Sequence, residues 1–203
     1  QLLDTIRRFV RNRLMPLEEE VASTDQIPES VISEMRELGL FGLTIPEEYG
    51  GLGLNTEEEC KVAIELGYTS AAFRSVIGTN NGIGSQGLVM DGTDDQKENY
   101  LPRLASGEII GSFALTEPNV GSDSANVQTK AEKDGDSYIL NGTKRWITNA
   151  NIANLFTVFA RTDQSQKGSS GVSAFLVDAN TPGISLSSKY KKMGQQGAHV
   201  CDV

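Results

Sequence analysis

Residues 113–123 read Phe113-Ala114-Leu115-Thr116-Glu117-Pro118-Asn119-Val120-Gly121-Ser122-Asp123. An apolar strand end, a Thr-Glu-Pro turn and a Gly-Ser-Asp turn follow one another without a spacer. The stretch lies just past a change of periodicity. Before Gly107, apolar residues recur at spacings of three and four; after it, they alternate. These are the periods of helix and strand. The expected fold is therefore α+β: an all-α helical domain over 1–108, then a predominantly antiparallel β-barrel or sandwich over 109–203.

Leu2, Leu3, Ile6, Phe9, Val10, Leu14 and Leu17 mark one buried helical stripe. Arg7, Arg8, Arg11 and Arg13 lie mainly off it and read as a solvated face. Pro28 opens a second helix lined by Val31, Ile32, Met35 and Leu38, and Gly39 stops it. Asn55 or Thr56 caps a third, with Glu58 and Glu59 in its first turn. Ser70 to about Met90 reads as one long buried helix, broken at Asp91-Gly92-Thr93. A last helix runs from Asp94 to about Leu104.

In the second half, Asp134-Gly135-Asp136 and Asn141-Gly142 both predict hairpin turns, since these residues tolerate positive φ. Two alternating strands flank the polar loop 164–170. The second of them, around Val172–Val177, is apolar enough to be buried on both faces. The alternating segment at Val203 has no evident strand partner, and the chain begins at Gln1 without methionine. Both ends predict a piece of a longer protein.

Composition excludes several classes. Among 203 residues are 27 acidic and 18 basic side chains, a net charge of -9 with no basic cluster. Such a chain is no nucleic-acid binder, because phosphate neutralisation needs grouped Lys and Arg. No apolar stretch is long enough to span a membrane, and no signal peptide is visible. Cys60 and Cys201 match no metal spacing and read as reduced thiols of an intracellular protein. His199 is the only histidine, so no multi-histidine metal site and no His-dependent triad is expected; it reads as a strand or turn residue.

A second unusual segment, Trp146-Ile147-Thr148-Asn149, holds the only tryptophan. Leu115-Thr116-Glu117-Pro118-x-x-Gly121-Ser122-Asp123, followed by Leu140-Asn141-Gly142-x-Lys144-x-Trp146-Ile147-Thr148-Asn149, resembles the acyl-CoA dehydrogenase family. The resemblance continues through Gly171–Val177, Pro182-Gly183-Ile184, Ile45–Gly51 and Gln96–Pro102, covering essentially the whole chain. It implies FAD as cofactor, an acyl-CoA substrate and α,β-dehydrogenation to a 2-enoyl-CoA. It further implies electron-transferring flavoprotein as acceptor and a homotetramer or homodimer in bacterial cytoplasm or mitochondrial matrix. It also implies a C-terminal four-helix domain beyond Val203, carrying the catalytic glutamate. No residue of this chain is then the general base, and the isolated piece is expected to bind FAD weakly and not turn over.

By the same resemblance, Phe113 to Ser122 line the flavin, Ser122 also touches the acyl-CoA, and Trp146, Ile147 and Thr148 pack on and hydrogen-bond the ring. The residue types suit that task. A flavin needs donors at its polar edge, an apolar surface and restricted access. Leu115 and Thr116 offer backbone amides and a hydroxyl, Gly121 permits close backbone approach, and Trp146 covers a ring face. In an extended strand Thr148 points to the same side as Trp146. Glu117 is read either as a substitute base or as a residue holding the turn through hydrogen bonds or an ion pair.

Phe73-Arg74-Ser75 resembles the Tyr-Arg-Ser segment of glutaryl-CoA dehydrogenases, in which the arginine and serine bind a distal carboxylate. Asn80-Asn81 resembles short-chain acyl-CoA dehydrogenases instead. Arg74 on a solvated face, or paired with Glu65 or Asp91, is the plain structural alternative. An acyl-CoA oxidase, nitroalkane oxidase or flavin monooxygenase relative, and an acyl-CoA or protein-binding module without turnover, remain as other readings.

Overall fold

The computed structural model describes residues 1–203, which divide into two units: Gln1–Ile110 with Lys191–His199, and Gly111–Tyr190 with Val200–Val203. The first unit holds α1 (Leu2–Phe9), α2 (Glu18–Thr24), α3 (Glu29–Glu37), α4 (Thr56–Leu66), α5 (Ala71–Asn81), α6 (Gln86–Asp91) and α7 (Asp94–Ser106). Between α1 and α2 the helical path widens into a π turn at Val10–Leu14 and tightens to 3-10 at Met15–Leu17. Pro16 is the cause, because it lacks an N–H and its ring crowds the carbonyl four residues back. The apolar stripe survives the irregularity: Ile6, Val10 and Leu14 are buried, and Leu2, Leu3, Phe9 and Leu17 pack on the same core.

The arginine face departs from the expected solvated one. Arg7 pairs with Glu65 of α4 at 2.6 Å, and Arg13 with Glu34 of α3 at 2.8 Å. These two residues tie helices together, while Arg8 and Arg11 are exposed. Asn55 caps α4 in a reciprocal box with Glu58. The single helix expected over residues 70–90 is two, α5 and α6. Its backbone leaves the helical path at Gly82 (φ -128°, ψ -112°), within a run of poor helix formers.

Phe41, Phe73, Met35, Leu66 and Ile77 fill the helical core. Burying each such side chain contributes about 1.5–3 kcal/mol. Two asparagines sit inside it. Asn81 Oδ1 accepts from the Leu43 amide at 2.6 Å, and its Nδ2 donates to the Leu40 carbonyl at 2.6 Å. Asn80 Nδ2 donates to the Leu104 and Ile109 carbonyls. Both bond backbone groups of neighbouring segments within the buried core. His199 Nε2 donates to the Asp25 carbonyl at 2.8 Å, a structural tie.

The second unit holds β1 (Gly111–Ala114), β2 (Lys130–Asp134), β3 (Ser137–Asn141), β4 (Ile147–Thr148), β5 (Leu155–Arg161), β6 (Val172–Asp178) and β7 (Val200–Cys201). A five-stranded sheet runs β1-β5-β2-β3 with β6 also on β5; β4 and β7 form a separate pair. The β2–β3, β5–β6 and β4–β7 ladders are antiparallel. The structure adds a parallel β1–β5 pair and one parallel β2–β5 bridge.

Gly135, at φ 59°, turns the β2–β3 hairpin as expected. Asn141-Gly142 does not turn a hairpin. A Cβ on Gly142 would lie 2.3 Å from Thr129 Oγ1, so this glycine serves a close approach. β6 is half-buried except at Ala174 and Asp178, which are exposed, and so is not the doubly buried strand expected. Val200–Cys201 does have a partner, β4. No helix is long and apolar enough to cross a membrane, no cluster of His, Cys, Asp or Glu gathers for a metal, and both cysteines are free.

Candidate flavin and acyl-CoA site

The two unusual segments meet within the β unit. The Arg145 amide donates to the Thr116 carbonyl at 2.7 Å, and Ser112 Oγ donates to the Thr148 carbonyl at 2.6 Å. β1 and the Trp146–Thr148 segment therefore lie side by side. Phe113 is half-buried with its ring 5.0 Å from that of Phe159. Leu115 and Thr116 follow β1, half-buried. Ile147 is buried in the core with Ala114 and Phe156, and fixes the segment from beneath. The turn carrying Gly121 and Ser122 is exposed, and nothing lies within 4 Å of a Cβ placed on Gly121.

Trp146 is the outlier. The residue is 62% exposed, although tryptophan is on average highly buried. Its backbone sits at φ 58° and that of Asn149 at φ 62°, the left-handed region that non-glycine residues rarely occupy. Ile147 and Thr148 are extended, but Trp146 is not, so period-two alternation does not govern how its side chain points relative to that of Thr148. Strain of this kind persists where surrounding contacts over-determine it. Asp202 supplies them: its Oδ1 accepts from the Trp146 amide at 3.2 Å, its Oδ2 from Arg145 Nε at 3.4 Å, and both oxygens from the Tyr190 hydroxyl at 3.0 Å. The hydroxyls of Thr116, Ser122 and Thr148 have no hydrogen-bond partner within the chain.

Glu117 and Lys144 pair at 2.8 Å with side chains only 3% and 4% exposed. Glu117 also accepts from the Gln128 amide at 2.7 Å and from the Thr129 amide at 2.8 Å. Lys144 Nζ donates in addition to the Leu115 carbonyl at 3.1 Å. Burial raises the Glu117 pKa, but the Lys144 ammonium and the Thr129 and Gln128 donors outweigh it, so the carboxyl titrates below its ordinary range. Burial lowers Lys144 against the opposing pull of Glu117. A carboxylate so buried and so bonded holds the Thr-Glu-Pro turn rather than facing an open site.

Arg74 and Ser75 lie on α5 in the helical unit, Arg74 exposed and Ser75 half-buried. Neither suggested carboxylate engages Arg74, since Glu65 is held by Arg7. Its side chain borders a small cleft lined by Leu43, Val62, Leu66 and Ile77, with Glu59 and Asn81 also on its wall.

Residues 1–108 match the acyl-CoA dehydrogenase N-terminal domain, and residues 112–203 match the acyl-CoA dehydrogenase middle domain. The chain belongs to the acyl-CoA dehydrogenase family. It is 38% identical over 200 residues to a probable acyl-CoA dehydrogenase, YngJ, of Bacillus subtilis, covering 98% of this chain and 53% of that protein. A glutaryl-coenzyme A dehydrogenase solved in complex with glutaryl-CoA matches at TM-score 0.91 and 34% identity, over 99% of this chain and 51% of that one. A glutaryl-CoA dehydrogenase from Mycobacterium smegmatis in complex with FADH2 matches at TM-score 0.90 and 35% identity, over 99% and 50%. The chain thus spans about half the length of the curated relatives it matches.

Sequence reasoning missed the supports. Lys144 stood in the quoted motif without a role, and the carboxylate of Asp202, far along the chain, gave no signal at all. The β4–β7 pairing and the reciprocal Lys144–Val203 backbone bonds bring Asp202 to Trp146.

Proposed function

We propose that the chain provides the flavin-contacting and acyl-CoA-contacting parts of an FAD-dependent acyl-CoA dehydrogenase that oxidises an acyl-CoA thioester to the 2-enoyl-CoA. The observation that carries this reading is Trp146: a mostly exposed indole, locked in strained backbone, next to hydroxyls with no partner in the chain. That arrangement fits a planar aromatic cofactor with polar edges. When bound, the flavin supplies hydride acceptance from the acyl chain. Trp146 covers its ring, Leu115 and Thr116 present amides and a hydroxyl to its edge, and Thr148 adds a second hydroxyl. Phe113 and Ile147 fix these from behind, Gly121 leaves room for close approach, and Ser122 donates to the acyl-CoA. Glu117 is a structural residue, and no residue of this chain is assigned as general base.

The domains in this reading are 1–108 and 109–203, supported by the two family models. Electron-transferring flavoprotein as acceptor, a homotetramer or homodimer, and bacterial cytoplasm or mitochondrial matrix belong to the same reading. The isolated 203-residue piece binds FAD weakly and does not turn over; steady-state dehydrogenation by it would refute that. One second reading has its own observation: Arg74, exposed with no ion-pair partner and bordering a cleft, binds a distal carboxylate of the acyl chain together with Ser75.

Reconstitution of the full-length apoprotein with FAD, followed by flavin absorbance, tests the site. Trp146→Ala should weaken FAD binding by about tenfold, the scale of a lost aromatic stack. Unchanged affinity would remove Trp146 from the site. Rapid reoxidation of the reduced flavin by oxygen would favour the oxidase-like relatives.

A further inference from the structure

The carboxylate of Asp202 gathers three donors from two stretches of chain: the Trp146 amide and Arg145 Nε from one, the Tyr190 hydroxyl from the other. Its own backbone is fixed as well. The Asp202 amide donates to Ser187 Oγ at 2.9 Å, and the Ser187 amide donates to the Asp202 carbonyl at 3.0 Å. Immediately before it, Cys201 is buried opposite Ile147 in the β4–β7 pair. The carboxylate therefore sits on a rigid base, with its side chain 17% exposed.

What it holds is the one large exposed aromatic whose backbone is in the left-handed region. A tryptophan at φ 58° is unfavourable by itself. Arg145 is pinned through its amide to the Thr116 carbonyl and Ile147 already pairs with Cys201, so Trp146 between them carries the strain, and its relaxation toward extended backbone would redirect the indole. A charged acceptor on the Trp146 amide opposes that relaxation, since hydrogen bonds to ionised groups are the stronger class. Arg145 and the Tyr190 hydroxyl keep the carboxylate turned toward that amide. Burial and the hydrogen bond to Asp202 both raise the Tyr190 pKa, so the phenol stays a protonated donor at neutral pH.

We propose that Asp202 is a positioning residue that fixes the indole of Trp146 as a ready-made platform for the flavin ring, with Tyr190 orienting its carboxylate. The proposal rests on the flavin reading above. Asp202 touches neither cofactor nor substrate and acts through Trp146.

The test is a double-mutant cycle on FAD affinity in the full-length protein, with Trp146→Ala, Asp202→Ala and the pair. Asp202→Ala should weaken FAD binding by about tenfold in the wild-type background and by less than about twofold in the Trp146→Ala background. Asp202→Asn, which keeps an acceptor for the Trp146 amide, should recover most of the loss; it also serves if Asp202→Ala fails to fold. In protein labelled with 5-fluorotryptophan, the 19F resonance that disappears in Trp146→Phe should shift or broaden in Asp202→Ala before any flavin is added. Equal loss of affinity in both backgrounds, or an unmoved Trp146 resonance, would make Asp202 merely structural and overturn the proposal. A protein that binds FAD equally well with and without Trp146 would instead refute the flavin reading itself, whatever Asp202 does to the resonance.

Discussion

Replacing Lys144 with methionine isolates the buried pair beneath the Thr-Glu-Pro turn. The two side chains are almost fully shielded, so neither charge is compensated by water. Methionine fills the space but leaves the Glu117 carboxylate without its cation and the Leu115 carbonyl without its Nζ donor. Removing one partner of a buried pair costs about 3–5 kcal/mol. The Gln128 and Thr129 donors still hold Glu117, which puts the expected loss at the lower end, about 3 kcal/mol. Adding Glu117→Gln removes the stranded charge and should restore about 1–2 kcal/mol, a non-additivity that a double-mutant cycle reads directly. Urea unfolding followed by circular dichroism, with m-values checked for constancy, gives these differences. Single-variant losses under about 1 kcal/mol that simply add would refute the reasoning, because that is how exposed pairs behave.

The same pair sets an acid limit. Glu117 has a folded-state pKa below its unfolded value, so its contribution is complete above the ordinary glutamate range and is lost as pH falls through the lower folded value. The Lys144→Met penalty should therefore shrink on acidification, because a protonated carboxyl needs no cation; a pH-independent penalty would contradict this. Gly142→Ala forces a Cβ to within 2.3 Å of Thr129 Oγ1, and should lower stability by about 1–3 kcal/mol in the same unfolding assay. Arg74→Ala should raise KM for glutaryl-CoA far more than for butyryl-CoA in steady-state assays of the full-length enzyme; equal effects would return Arg74 to a plain surface role.

How far the sequence could be read depended on the range of the interactions involved. Helix caps and stripes were legible because they are local: the Asn55–Glu58 box and the Ile6–Val10–Leu14 stripe follow from neighbours three and four apart. The turn at Gly135 was legible for the same reason. The pairings were not. Nothing local to Asn141-Gly142 says that the glycine admits Thr129, or that Ile147 will pair with Cys201. The break at Gly82 did have a local signal that the long-helix reading passed over: Asn80-Asn81-Gly82-Ile83-Gly84-Ser85 is rich in poor helix formers. At the site, the residue types at 113–123 and 146–149 were conspicuous, whereas the left-handed backbone of Trp146 was not. Tryptophan carries no local preference for that conformation, and the carboxylate that holds it there stands at Asp202.

Anaerobic titration of the full-length flavoprotein with butyryl-CoA and glutaryl-CoA in parallel is the most direct test of the central claim. The account predicts bleaching of the oxidised flavin band, with enoyl-CoA formed in step, and the better substrate then decides the role of Arg74. A flavin-loaded protein that neither acyl-CoA bleaches would contradict acyl-CoA dehydrogenation, and a protein that takes up no flavin would remove the site on which the account stands.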